Sequence, residues 1–476
     1  LIILPDTSST SLTNNGIHVS LGSKMITKKL QESDPSFKNH HEKYYGDLAI
    51  KIVEHFLPLF PGLYSASPYR IPFRDFHPES VLGFLPHELD FTHLRMLWRR
   101  WRKMGIQKVL GTRIYPKGPE WLDKNLERIF GLKGAYCPDY RLIDYYVALL
   151  STNSAPSLNG FMGNQEELIE ELHTMGQFSK EMSFYSIYKM RSFEKMGFSG
   201  FEGRFYSLFE RINVDMRHAV NLQAIITHLA YKYILEGSVN HRDIPDDVHT
   251  ESERRQIFFG AALNIPTFYV SEKTGNEFLL SILRGCKNVR RSNRYKGYLR
   301  VKIDDYKFAL YSKIIKDGCH LLEEKHVKDT LKDLSERLHD KSLNVSEKLT
   351  KSICEYAGAK NPLKMDAYDF NFEAEKYYRK ELKKRHIREG FEALKDDFSK
   401  TDFSGILNMT REIANSEFKE ILPLKKIQEL ETAFTKEKKC IEDIVWLIKL
   451  LLVDISTKIS EESKCKHTAI LKEALG

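Results

Sequence analysis

Phe198-Ser199-Gly200-Phe201-Glu202-Gly203-Arg204-Phe205-Tyr206-Ser207-Leu208-Phe209 is the stretch on which the fold turns. Glu202 and Arg204 alternate with the large apolar residues Phe201, Phe205 and Leu208, the period of a strand whose two faces differ. Glu202 and Arg204 therefore share a face, two residues of strand rise apart. A carboxylate and a guanidinium so placed can hold a divalent cation and a phosphate side by side. The plain alternative is an ion pair on a solvated sheet face. Downstream, Asn213 or Asp215 predicts a helix N-cap and Gly237 a stop. Met216, Val220, Ile225, Leu229 and Tyr233 recur between them near helical spacing. The unit reads as a strand bearing Glu-x-Arg, a turn and a packed helix.

A second strand signal, Asn15-Gly16-Ile17-His18-Val19-Ser20-Leu21, carries one histidine. A lone strand histidine is ordinarily a satisfied polar residue. Taken with the Glu202 unit, however, Gly16-Ile17-His18-Val19 resembles the Gly-(apolar)-His-Val strand of the glutamine synthetase and glutamate–cysteine ligase superfamily. Phe201-Glu202-Gly203-Arg204 with its following helix resembles that superfamily's later Glu-x-Arg strand. Leu63-Tyr64-Ser65-Ala66-Ser67-Pro68-Tyr69 is similar to the helix-end Ser/Ala/Asn-Ser-Pro stretch of the carboxylate–amine ligase branch, and Ser151-Thr152-Asn153-Ser154-Ala155-Pro156 is a comparable stretch. The resemblance spans about residues 14–270 and keeps the family's chain order.

The resemblance implies an α/β (α+β) fold, an antiparallel or mixed sheet backed by helices. It implies an ATP- and Mg2+- (or Mn2+-) dependent ligase that joins the carboxylate of glutamate or another amino acid to an amine through an acyl phosphate. His18 and Glu202 would be metal ligands, and Arg204 would face the phosphoryl group. Asn153 and Ser154 would donate hydrogen bonds near the site. Arg113 is a second catalytic candidate, and Arg70 and Arg74 are candidates for phosphate or substrate carboxylate. The family's further metal-binding carboxylates lie on strands before the histidine strand, so they are expected upstream of Leu1 or on a partner chain, or else the chemistry is lost. Ser20 stands where many relatives carry a second histidine.

Composition narrows the remaining classes. The 476 residues, 42% hydrophobic and 29% charged, suffice for one large domain or two to three ordinary ones. The net charge of +8 is diluted by 65 acidic residues, which favours an anionic substrate over nucleic acid. Six scattered cysteines show no CxxC or zinc spacing, which suggests a reducing, cytoplasmic setting. Ile444 to Ile455 is the most apolar run; it falls short of a membrane span and predicts a buried helix. GxxxxGK[ST], dinucleotide, GxSxG and kinase signatures are all lacking from the sequence.

Along the chain, helices are predicted over 44–60, 91–104, 142–150, 164–175 and 251–263, and a loop over 69–90. Arg284 to Lys302 is the densest basic stretch, interleaved with Tyr295 and Tyr298. It reads as a solvated connector, or as a segment whose Arg290, Arg291 and Arg294 contact nucleotide phosphates. From about Asp304 Gly and Pro thin out and helical patterns dominate. The expected organisation is thus a ligase-like core over 1–283, a basic connector over 284–303 and a helical region over 304–476, with a homo-oligomer open. Two other functions stand beside the ligase: an impaired ligase-like scaffold within a larger assembly, and a nucleic-acid-binding protein using 284–302.

Overall fold

The computed structural model describes residues 17–22, 28, 45–71, 135–139, 146–147, 184–185, 188–193, 198–205, 207–245, 247–263, 265–293, 295–400 and 423–475. In chain order the strands are β1 (Ile17–Gly22), β2 (Tyr69–Ile71), β3 (Ala135–Cys137), β4 (Tyr146–Val147), β5 (Phe184–Tyr185), β6 (Tyr188–Phe193), β7 (Phe198–Phe205), β8 (Thr267–Ser271), β9 (Arg290–Arg291) and β10 (Tyr298–Lys302). The helices are α1 (Asp47–Phe56), α2 (Arg217–Leu235), α3 (Val248–Ala262), α4 (Glu277–Leu283), α5 (Ile303–Asp317), α6 (Lys325–His339), α7 (Val345–Tyr356), α8 (Ala367–Tyr377), α9 (Lys383–Lys400), α10 (Pro423–Thr435) and α11 (Ile441–Leu475). Small, mostly antiparallel sheets among many helices make this an α+β chain.

Two compact units divide the described residues. One takes in those from 17 to 210 and from 215 to 375; the other takes in 211–214 and 376–475. The division falls near residue 375 and not at the composition shift near 304, because α5 and α6 pack into the first unit's core.

In the first unit, β7 lies between β1 and β6, antiparallel to both. Its apolar face meets α2, with Ile17, Val19 and Phe205 joining the core. Helix α2 is held from both sides, by α1 and by α6. Of the α2 stripe expected from sequence, Ile225, Leu229 and Tyr233 are buried and Met216 and Val220 half-buried, with Leu222 and Ile226 buried beside them. Gly237 ends it in the left-handed region at φ 66°, where a side chain would be strained. The start of α2 differs from expectation: neither Asn213 nor Asp215 caps it. The Asp215 carboxylate instead accepts from Arg337 Nη2 at 2.6 Å, a fully buried ion pair. Arg337 also donates to Asp333 at 2.7 Å and to the Leu63 carbonyl at 2.7 Å, and lies over the Tyr64 ring.

A second sheet, in the order β8-β10-β9, stands against α3. The outer edge of β8 is closed by side chains and not by a strand. The Gln256 carboxamide pairs with both the N–H and the carbonyl of Tyr269, at 3.0 and 3.1 Å. Glu253 accepts from the Ser271 N–H at 3.0 Å and the Thr274 hydroxyl at 2.8 Å. Burial pushes the Glu253 carboxyl up to about 7, against these two hydrogen bonds, which pull it down. Nearby, His55 Nδ1 donates to the Lys51 carbonyl at 2.7 Å, and Asn276 Nδ2 donates to His55 Nε2 at 3.0 Å. Burial, with Arg254 adding to it, lowers His55 to about 3, so its ring is neutral. Asn276 turns its oxygen to the Leu279 N–H and caps α4.

Three local expectations need correction. Tyr146–Val147, expected inside a helix over 142–150, is a strand paired in parallel with β5; aromatic and β-branched residues favour that state. Tyr69–Ile71, expected in a loop, pairs with β3. The predicted buried run Ile444–Ile455 is only partly buried. In the second unit α9, α10 and α11 bury Phe391, Leu394, Ile427, Leu430, Leu450 and Val453 among themselves. Ile441, Val445, Ile448, Leu452 and Ile455 remain exposed. A helix packed by two neighbours buries a stripe, and this run is apolar beyond its stripe. Expected helices over 91–104 and 164–175 lie outside the described residues. Among the described residues no helix is long and apolar enough to cross a membrane.

Candidate functional site

The β1–β7 register decides what stands beside what. His18 pairs with Arg204, Val19 with Gly203, and Ser20 with Glu202. Directly opposed residues of an antiparallel pair share a face, so positions 18 and 20 fall on the face of Glu202 and Arg204. Position 18 is one diagonal step from position 202, roughly 7–8 Å between backbones in such a sheet.

The opposite face carries Gly203, and its lack of a side chain is what α2 requires. A Cβ there would lie 2.4 Å from Gln223 Oε1. Gln223 Nε2 donates across the sheet to the Val19 carbonyl at 3.1 Å. The Glu-Gly-Arg triplet therefore has one residue fixed by packing and two turned away from the helix. Glu202 and Arg204 form an ion pair, Arg204 Nε donating to Glu202 Oε1 at 2.7 Å. Both side chains are largely buried, at 6% and 11% relative exposure. The pair is thus not the solvated surface bridge of the plain alternative. In such surroundings a charge-assisted hydrogen bond is stronger than at the surface, and leaving either partner alone is correspondingly expensive.

The other predicted site residues separate into three groups. Arg70 is fully buried: its Nη1 donates to the Pro362 and Met365 carbonyls, and Asn371 closes a two-way bond with its backbone at 2.8 Å. It ties β2 to the segment leading into α8 and so has a structural task. Arg74, Arg113, Asn153, Ser154 and Arg294 lie outside the described residues. Arg290 and Arg291 form β9, a strand of the second sheet and not a connector. They line a cavity of about 350 Å³ together with Arg300 and Lys302 of β10. Arg291 Nε reaches Glu272 at 3.0 Å. The sequence marks Arg300 and Lys302 as members of the basic stretch but not as phosphate contacts, although their alternate spacing before α5 is the strand signal that places both on one face.

No protein-family model matches the chain, and no curated protein or solved structure matches it.

Proposed function

We propose that this chain is an ATP- and Mg2+-dependent carboxylate–amine ligase with a glutamine synthetase-like core, acting on glutamate or another amino acid through an acyl phosphate. The observation that supports this reading is the pairing of β1 with β7, which brings position 18 opposite Arg204 and beside Glu202. Two segments far apart in the chain meet in a register whose parity puts position 18, Glu202 and Arg204 on a common face. A slip of one residue would send position 18 to the α2 side.

The donor set suits a metal that arrives with its nucleotide. Mg2+ is ordinarily bound by one or two protein carboxylates plus phosphate oxygens and water. Glu202 is such a carboxylate, and His18 is its neighbour in register. Bound Mg–ATP supplies the transferable phosphoryl group. The chain's own contribution is placement. Glu202 takes the Nε of Arg204 and thereby orients the guanidinium plane. A guanidinium so held clamps the oxygens of a transferring phosphoryl group. A buried setting strengthens that clamp and shields an acyl phosphate from water.

The test is turnover of ATP by the full chain with Mg2+, glutamate and hydroxylamine, read as phosphate release and hydroxamate. Arg204→Lys should lower turnover by about 10²–10³, with a smaller change in KM for ATP, because the clamp acts mainly in the transition state. Absence of Mg2+-dependent turnover across the common amino acids would remove the reading. So would full turnover in Arg204→Lys with an unchanged circular dichroism spectrum. The ion pair itself favours one second reading: Glu202 is already engaged by Arg204, as in a ligase-derived scaffold that holds nucleotide without turning it over. Mg–ATP binding with no hydroxamate would select it.

A further inference from the structure

The geometry points to a second site, on the outer face of the β8–β10–β9 sheet, for a compact ligand carrying two or more linked phosphate groups. It goes beyond the ligase reading and uses no residue of the β1–β7 face.

The register supplies the first observation. Arg290 pairs with Arg300, and Arg300 pairs with Tyr269, so one row crosses all three strands. Lys302 follows Arg300 on the same face. The opposite face is anchored, with Val301 and Phe268 buried in the core. The three cations therefore stand on a fixed platform, with Arg290 and Arg300 in cross-strand contact and Lys302 two residues further along β10.

Charge supplies the second. Like charges directly opposed in a sheet are destabilising. Arg290 and Arg300 nonetheless face each other, both exposed. Among the described residues neither they nor Lys302 make an ion pair. The acids nearby are turned elsewhere: Glu272 holds Arg291, Asp305 accepts from Asn288 at 2.9 Å, and Asp304 accepts from Lys341 at 2.8 Å. Repulsion kept in the folded state and left without a carboxylate is relieved when an anion arrives.

Shape supplies the third. These three cations line a cavity of about 350 Å³ together with Arg291, the one already held by Glu272; its other walls are Asn288, Ser292, Asn293 and Tyr269, with no acidic residue. That volume is at the small end of ligand pockets and suits a short phosphate chain. Three cations in one concavity match such a chain better than they match an extended nucleic-acid strand, which needs a basic track with stacking rings along it. The phosphate chain is either free or borne on a nucleotide; the recognising chemistry is shared.

Isothermal titration of the full chain without divalent metal, at physiological salt, tests this with tripolyphosphate, ATP and inorganic phosphate. Tripolyphosphate should bind, and inorganic phosphate should bind at least tenfold more weakly. Arg300→Gln/Lys302→Gln should weaken tripolyphosphate at least tenfold, and Glu202→Gln should leave it unchanged. Equal binding of ATP and tripolyphosphate identifies the phosphate chain as the ligand; tighter binding of ATP that is lost in the double variant identifies a nucleotide. Both positions are exposed, so the double variant should fold, and with repulsion removed its melting temperature should not fall. Tripolyphosphate should raise the melting temperature of the wild type and leave that of the double variant unmoved. Undetectable tripolyphosphate binding, or an affinity unaffected by the double variant, overturns the site. A single-stranded RNA oligonucleotide binding a hundredfold tighter than tripolyphosphate, and lost in the same variant, overturns the ligand class. Loss of tripolyphosphate binding in Glu202→Gln with an unchanged circular dichroism spectrum would place the ligand at the ligase face instead. Failure of ATP turnover would leave this site standing.

Discussion

Gly203→Ala would test how the Glu202–Arg204 face is set. A methyl group at position 203 meets Gln223 Oε1 at 2.4 Å, Cδ at 2.6 Å and Nε2 at 2.7 Å, so the whole carboxamide must move. Moving it breaks the bond from Gln223 Nε2 to the Val19 carbonyl. Overpacking of this kind costs about 1–3 kcal/mol, and loss of a buried hydrogen bond costs about 1–3 kcal/mol. The smaller unfolded-state entropy of alanine returns about 0.5–1 kcal/mol. The expected net loss is roughly 2–4 kcal/mol, read from urea unfolding followed by circular dichroism. Gln223→Ala alone loses the same hydrogen bond and the buried side chain that makes it, about 1–3 kcal/mol. Combined with it, Gly203→Ala finds room, so the double variant should be more stable than the sum of the two losses by about 1.5–3 kcal/mol. Amide exchange should accelerate at β1 and β7 in Gly203→Ala and recover in the double variant. Additive losses, or a Gly203→Ala protein as stable as the wild type, would refute the packing account of the Glu-Gly-Arg triplet.

Three further outcomes follow from buried polar groups. Glu253 has a folded pKa of about 7, above its ordinary 4.5, so the folded chain keeps a proton that the unfolded chain releases. Its contribution to stability is full below about 4.5 and lost as pH rises through 7, and Glu253→Gln should flatten that part of the stability profile relative to the wild type. Arg337→Ala strands the buried Asp215 carboxylate and should cost about 3–5 kcal/mol in thermal unfolding; adding Asp215→Asn should recover part of it, and a loss below about 1 kcal/mol would contradict the assignment. Arg70→Lys puts a shorter side chain and a tetrahedral ammonium where the planar guanidinium meets the Pro362 and Met365 carbonyls, and should cost about 1–3 kcal/mol. Its amide exchange should quicken at β2 and β3, while ATP turnover per folded molecule stays unchanged.

The strand from Phe198 and the helix to Leu235 were readable because each has one apolar face and one period, and both faces are used as the period says. What pairs with β7 was not readable from β7. The pairing with β1 depends on contacts between segments about half the first unit's sequence apart. Gln223 gave no signal at all: a glutamine on a helix is ordinarily a surface residue, and only the close approach of α2 to Gly203 makes it a fixed part of the site. Arg70 misled for the opposite reason, since an arginine near prolines and aromatics looks available in sequence, whereas two backbone carbonyls take its guanidinium. Arg290 and Arg291 drew attention by density of charge. Arg300 and Lys302, which complete the same cavity, needed the strand period and the register to be seen as their neighbours. The run from Ile444 misled because hydrophobicity counts residues, while burial depends on how many neighbours a helix has.

The side-chain closure of the β8 edge bears on how this chain fails. A strand edge capped by Gln256 and Glu253 is capped only while α3 is in place. Once that helix lifts, Phe268, Tyr269 and Val270 present a short, uncharged, aromatic and β-branched segment with its backbone unpaired on one side. Such a segment recruits its own kind. Intermolecular aggregation under mild stress should therefore nucleate at residues 267–271, and a lysine placed at Thr267 would act as a gatekeeper against it.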